Sequence, residues 1–162
     1  MTGETTTDWV EIARRGRRRA LAVLERGRPL ALLFGRLGVG LLFLSTGWGK
    51  VHNLEKVTMF FTSLGIPAPG FHAVVVGYSE LLCGAALVAG LATRLATIPL
   101  AVSMVVAILT AKRAELHGLF DLVGFEELTY LVVLVMLAVL GPGDWSIDRL
   151  LVKKLDPQPA TR

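Results

Sequence analysis

The sequence predicts an all-α integral membrane protein: a four-helix bundle with an N-terminal amphipathic interfacial helix and a short C-terminal interfacial tail. Hydrophobic residues make up 53% of the 162 residues, and the mean hydropathy is +0.60, which is more apolar than a soluble domain of this size requires. The apolar residues also form long runs with the charges between them, as in chains that cross a bilayer several times. A small soluble domain of buried helices is the alternative.

The first 28 residues form a basic leader. Residues 8–24 place apolar side chains at helical spacing with arginines on the other side, which predicts an amphipathic helix lying on the anionic inner leaflet. A basic leader without fixed structure is the alternative. Seven arginines precede residue 30, and beside a membrane span such a cluster favours lipid over nucleic acid as the partner. The leader lacks the features of a signal peptide, so we expect the first span to be retained.

Four apolar segments are predicted to span the membrane: residues 29–48, 71–91, 95–111 and 125–140. The first begins at Pro29, a residue suited to a first helical turn, and its length of about 20 residues matches about 30 Å of hydrocarbon. The motif GPG ends the fourth. The four spans belong to a domain of residues 29–150, which is followed by a tail of residues 151–162.

The distribution of basic residues predicts the orientation of the spans. One side carries twelve: seven in the leader, Arg94 in the turn between the second and third spans, Arg149 after the fourth span, and three in the tail. The other side carries Lys50, Lys56, Lys112 and Arg113. The positive-inside rule therefore places both termini in the cytoplasm of a multi-pass protein of the bacterial inner membrane.

Glu80 is an ionisable residue within the second predicted span. It lies about 13 Å below the outer end of the span at helical rise, where a charge costs about 2.5–3.5 kcal/mol. Gly77 and Gly84 share its helical face and allow another helix to approach closely, so Glu80 is expected to face the bundle interior. Lys50, or a water-mediated network, is favoured over a direct bond to Arg36, because Arg36 would have to reach against the usual lean of helical side chains.

Further polar residues are predicted in the spans and the outer loops. One face of the first span carries Arg36, Gly40, Phe43, Gly47 and Lys50. The fourth span opens with Glu126 and Glu127, with Tyr130 one turn deeper, and His52, His72 and His117 all fall on outer segments. Such groups can form a proton relay or a polar pocket for a small ligand.

Simpler interpretations of the same residues remain open. Glu80 can be a helix–helix clamp, Lys50 a boundary anchor, Arg36 a snorkelling residue, and Glu126 or Glu127 a partner of the helix dipole. The histidines lack metal-ligand spacing, so no metal site is expected. The chain has one cysteine, which excludes an internal disulfide, a CxxC redox pair and a cysteine-ligated zinc or iron–sulfur site.

Three segments resemble the DoxX family of small four-span bacterial membrane proteins: GRLGVGLLFLSTGWGKV, YSELLCGAALVAGLATRLA and FEELTYLVVLVMLAVLGPGDWSID. The resemblance covers roughly residues 30–150. The matching positions are Arg36, Gly47, Lys50, Glu80, Gly84, Gly90, Thr93, Arg94, Glu126 or Glu127, Ser146 and Asp148. The resemblance implies the bundle fold and a redox context, since family members are similar to the membrane subunit of a thiosulfate:quinone oxidoreductase.

These observations lead to three functional hypotheses. The first is a membrane subunit of a redox complex that interacts with a quinone or anchors a soluble oxidoreductase. In this hypothesis Glu80 and Glu127 exchange protons with the quinone, and Lys50 holds a quinone oxygen. The other residues of the binding site are Arg36, Glu126, Tyr130 and His52. A soluble partner supplies the redox centre. The second is a small-solute transporter or receptor, for which four spans without a repeat require a homo-oligomer. The third is a structural or assembly subunit.

Overall fold

The computed structural model describes residues 4–155, with side chains for residues 11 and 14–154. Within this range the chain forms seven α-helices and one 3-10 turn at Arg113–Glu115. The helices are α1 (Glu4–His52), α2 (Leu54–Ser63), α3 (Pro69–Ala89), α4 (Thr93–Thr110), α5 (Leu119–Gly124), α6 (Glu126–Leu140) and α7 (Ile147–Leu155).

Helix α1 joins the basic leader and the first span into one helix of 49 residues, about 74 Å long at helical rise. Pro29 lies inside this helix, so the prediction that a separate helix begins there is wrong. A proline removes one backbone hydrogen bond, and the flanking leucine, alanine and arginine residues have high helix propensity. The helical character of residues 8–24 is confirmed, while their position on a membrane surface stays a prediction.

The boundaries of the other apolar helices agree with the predicted spans to within two residues. Among the described residues, three helices are long and apolar enough to cross a membrane: Arg14–His52, Pro69–Ala89 and Thr93–Thr110. Helix α6 is equally apolar, but its 15 residues extend only about 22 Å. The fourth crossing therefore stays a prediction.

The helices pack as two neighbouring pairs around a shared core. Helix α1 packs along α3, α4 packs along α6, and α3 adjoins α4. The buried core between them consists of Val39, Phe43, Leu87, Ala96, Leu100 and Leu134. Helices α1 and α3 run antiparallel, so the bundle has two ends: the Lys50 end, where α1 finishes and α3 begins, and the Arg36 end, where α3 turns into α4 and α6 finishes.

Large apolar side chains cover the outside of the bundle as well as its core. On α1, Phe34, Leu41 and Trp48 follow one another at intervals of seven residues and are exposed, Phe34 to 71%. Helices α3, α4 and α6 also leave valine, leucine or isoleucine side chains uncovered. A water-soluble monomer rarely exposes so much contiguous apolar surface, whereas lipid solvates it. The molecule is an all-α membrane protein.

Candidate functional site

Three glycines bring the backbones of α1 and α3 into direct contact. A Cβ atom at Gly84 would lie 2.5 Å from the backbone nitrogen of Leu44, and one at Gly40 would lie 3.0 Å from that of Val88. A Cβ atom at Gly47 would collide with the backbone nitrogen of Leu81. At Gly47 and Gly84 a side chain would require the facing backbone to shift, and at Gly40 the fit is tight, so these glycines permit the close approach.

Glu80 lies in this interface and is 2% exposed. Its Oε2 atom accepts a hydrogen bond of 2.9 Å from the Thr46 hydroxyl and forms an ion pair with the Nζ atom of Lys50. The Lys50 side chain is 30% exposed, so one end of the pair is buried and the other reaches the edge of the bundle. The predictions that Glu80 faces the bundle interior and that Lys50 is its partner are confirmed.

The local sequence of α1 explains how this group forms. Thr46 and Lys50 are one helical turn apart and therefore share a face, and Gly47 between them admits the α3 backbone. One helical turn closer to the Lys50 end, a Cβ atom on Gly77 would lie 3.4 Å from the Lys50 Cβ atom. The aliphatic part of the lysine side chain therefore packs closely against α3. Thr46 was not predicted from the sequence, although its position one turn from Lys50 is the signal that points to it.

Arg36 binds at the opposite end of the bundle, to the segment that follows α6. It is 3% exposed, and its Nη1 and Nη2 atoms donate hydrogen bonds of 2.9 Å and 2.7 Å to the carbonyl oxygens of Pro142 and Trp145. Gly90 has a positive φ of 69°, and a Cβ atom there would collide with the guanidinium group. Because 14 residues separate Arg36 from Lys50, the two side chains start about 21 Å apart along α1.

Asp148, at the beginning of α7, connects the chain that follows α6 to the start of α4. Its two carboxylate oxygens accept hydrogen bonds from the backbone N–H groups of Ala92, at 2.7 Å, and Thr93, at 3.0 Å. The Asp148 backbone N–H donates in turn to the Gly90 carbonyl at 2.9 Å. Ala92 itself has no side chain that could cap α4, so a distant carboxylate satisfies the helix N-terminus and complements its dipole.

Replacing Arg36 by lysine is expected to loosen the segment that Arg36 holds. Lysine carries the same charge but lacks the planar fork that reaches two carbonyl groups at once, and hydrogen bonds from charged groups contribute about 1.5–3 kcal/mol. We expect faster hydrogen exchange at the amides of residues 147–155 in Arg36→Lys. Arg18→Lys on the exposed part of α1 is the control, and equal protection in the two variants would contradict the role assigned to Arg36.

Among the described contacts, none of the remaining predicted residues binds the Glu80 carboxylate. Tyr130 donates a hydrogen bond of 3.3 Å to the Oε2 atom of Glu126 and packs against the buried core. Glu126 and Glu127 line a cavity of about 640 Å³ that Lys112 and other residues between α4 and α6 complete. His52 is exposed, and its Nδ1 atom lies 2.9 Å from the Trp48 carbonyl oxygen.

The predicted site residues therefore fall into separate groups. Lys50 and Glu80, with Thr46, form a carboxylate–ammonium–hydroxyl cluster between α1 and α3. Arg36 holds the segment after α6, and the two glutamates at the start of α6 border a cavity of their own. The first group can accept or release a proton at a carboxylate within an apolar bundle, which is the chemistry that a membrane proton relay needs.

Comparison with known proteins identifies relatives over most of the chain. The family model described as DoxX matches residues 31–113. The "Uncharacterized membrane protein Rv3486" of Mycobacterium tuberculosis is 37% identical, over 82% of this chain and 88% of the relative. The "Inner membrane protein YqjF" of Escherichia coli is 30% identical, over 81% and 99%. The "Putative oxidoreductase CatD" of Bacillus subtilis is 32% identical, over 80% and 93%. No solved structure matches the chain.

Proposed function

The chain belongs to the DoxX family of membrane proteins, and from this premise we propose that it is a membrane subunit of a redox complex in which Glu80 interacts with a quinone. The observation that carries the proposal is the buried carboxylate between α1 and α3, paired with a lysine that reaches the bundle edge. The word oxidoreductase in the name of the Bacillus subtilis relative supports the redox context.

The chemistry of the cluster fits a quinone oxygen. The Lys50 ammonium has three N–H donors, and among the described side chains Glu80 is the acid that pairs with it. A carbonyl oxygen can therefore take another of these donors at the exposed side of the lysine. Quinone reduction consumes two electrons and two protons. The two protons come from water and pass in turn through Glu80 to the quinone oxygens, and a soluble redox partner supplies the two electrons.

Glu127 takes no part in this proton transfer. That residue borders the cavity at the start of α6, and no described hydrogen bond or ion pair links it to Glu80.

The proposed orientation places the basic leader in α1 and the tail in the cytoplasm of a bacterial inner membrane, with the leader near anionic lipid. Lys50 then lies on the outer side, where it meets the quinone.

A quinone analogue is expected to raise the melting temperature of the purified protein in detergent. Ligand that binds the folded state stabilises it by mass action, so ubiquinone and menaquinone analogues should each be titrated. Glu80→Gln keeps the shape of the side chain and should weaken the shift, whereas Glu55→Gln on the exposed face of α2 should leave it unchanged. Absence of any shift in the wild-type protein would contradict quinone binding.

A structural role is the second candidate, and one observation favours it. Both described partners of the Glu80 carboxylate lie on α1, so the group joins two helices whether or not a ligand binds. In that case Glu80→Gln would lower the stability of the bundle, while the redox activity of the assembled complex per folded subunit would equal that of the wild type.

A further inference from the structure

A second polar site lies at the Arg36 end of the bundle, remote from Glu80. A cavity of about 690 Å³ opens there between α1, the start of α4, the end of α6 and the segment that follows it. This volume is typical of small-molecule sites. The charged residues among its lining are Glu25, Arg28, Arg94, Asp144, Asp148 and Arg149.

Some of the charged residues that line this cavity have hydrogen-bond or ion-pair partners, and others have few or none. Asp144 pairs with Arg149 at 3.4 Å, and Asp148 uses both oxygens to bind the backbone of the α3–α4 turn. Arg94 makes one long hydrogen bond of 3.3 Å, to the Val139 carbonyl oxygen. The Arg28 side chain forms no hydrogen bond or ion pair with the side chains described for residues 14–154. Two guanidinium groups from different helices therefore keep most of their donors available.

A buried hydroxyl group on the cavity wall also lacks a partner. Thr93 lines the cavity, is fully buried, and its Oγ1 atom has no hydrogen bond to any described atom. An unsatisfied buried hydroxyl is costly, and an oxygen acceptor at this wall would satisfy it. The backbone N–H groups at the α4 start are already bound by Asp148, so an anion here must be held by side chains.

The rest of the wall is apolar and continues toward the lipid-facing surface. Leu32, Leu95 and Leu140 line the cavity, and Leu95 is 70% exposed on the outside of α4. An anionic group at the arginines would thus have an apolar path beside it, running along the bundle. A phosphate ester that carries acyl chains matches this combination better than a free anion does.

We propose that this cavity binds the phosphate group of an anionic phospholipid, held by Arg28 and Arg94 with the Thr93 hydroxyl as a further donor. Guanidinium groups match phosphate oxygens in geometry and charge. The acyl chains lie along the leucines and the exposed face of α4. The site is independent of the quinone proposal, because it shares no residue with the Glu80 cluster.

The test is lipid binding to the full-length protein after delipidation in a non-ionic detergent, measured by native mass spectrometry. Phosphatidylglycerol is expected to bind at one saturable site and phosphatidylcholine more weakly. Basic residues near a membrane surface each contribute about a fivefold factor in affinity. Arg28→Gln and Arg94→Gln should each lower phosphatidylglycerol affinity by about that factor, and the double variant by about 25-fold.

The matched controls are Arg18→Gln and Arg19→Gln, which remove the same charge from the exposed arm of α1. Equal losses in these controls would overturn the proposal, because they would indicate general attraction to the basic arm. Unchanged binding in the folded double variant would overturn it as well. Binding of inorganic phosphate and glycerol phosphate is measured in the same way. If they bind at micromolar concentration with the same dependence on Arg28 and Arg94, the site binds phosphate, and the proposal that the phosphate belongs to a phospholipid is overturned.

Discussion

Gly47→Ala is expected to destabilise the bundle by about 2 kcal/mol. Its methyl group would meet the backbone nitrogen and Cα atom of Leu81, and a backbone cannot rotate out of the way as a side chain can. Overpacking of this kind costs about 1–3 kcal/mol, and here the upper end applies. Alanine returns up to about 1 kcal/mol through its higher helix propensity, which gives the net value.

Gly49→Ala is the matched control, since Gly49 lies two residues away on the same helix and a methyl group there would have no atom within 4 Å. That variant should be neutral or stabilised by up to about 1 kcal/mol. Unfolding in mixed micelles with increasing sodium dodecyl sulfate measures both free energies. If the two variants unfold at the same detergent fraction, α1 and α3 are not in backbone contact at this level.

Lys50→Ala is expected to lower the free energy of unfolding by an amount similar to that for Gly47→Ala, because it leaves Glu80 without its counter-ion. Removing one partner of a buried pair costs about 3–5 kcal/mol. Because the lysine is 30% exposed, we expect a loss of about 2–3 kcal/mol in the free energy of unfolding. Glu80→Gln should cost less, since the amide can still accept the Thr46 hydrogen bond and Lys50 can reach water.

Lys56→Ala supplies the control for this prediction, because Lys56 is exposed on α2 and its loss should change stability little. The double variant Lys50→Leu with Glu80→Leu should recover much of the stability lost in Lys50→Ala, as apolar replacements of buried pairs commonly do. A double variant as unstable as Lys50→Ala would contradict the view that the damage comes from an unpaired carboxylate.

The positions of the helices were largely predictable because each apolar run is bounded by strong signals. Gly90 ends α3 in the left-handed region, and the GPG motif ends α6, so hydropathy and turn residues agree. The continuity of α1 was not predictable in the same way. Pro29 is equally compatible with a first helical turn and with an interior position that costs one hydrogen bond, and only the structure distinguishes the two.

The candidate site was predictable where two side chains meet and unpredictable where a side chain meets the backbone. Helical spacing and depth sufficed to pair Glu80 with Lys50. The carbonyl groups of Pro142 and Trp145 have no side-chain signature, so the partners of Arg36 could not be read from the sequence. Glu127 was predicted to exchange protons together with Glu80, but helical spacing does not say which helices are neighbours.

The close contact between α1 and α3 also determines how Glu80 can be reached. Toward Arg36, Gly40 and Gly84 bring the two backbones together and leave no passage along the interface. Lys50 is the partly exposed member of the cluster. A ligand approaching from that edge of the bundle would therefore reach the ammonium group before it reached the carboxylate.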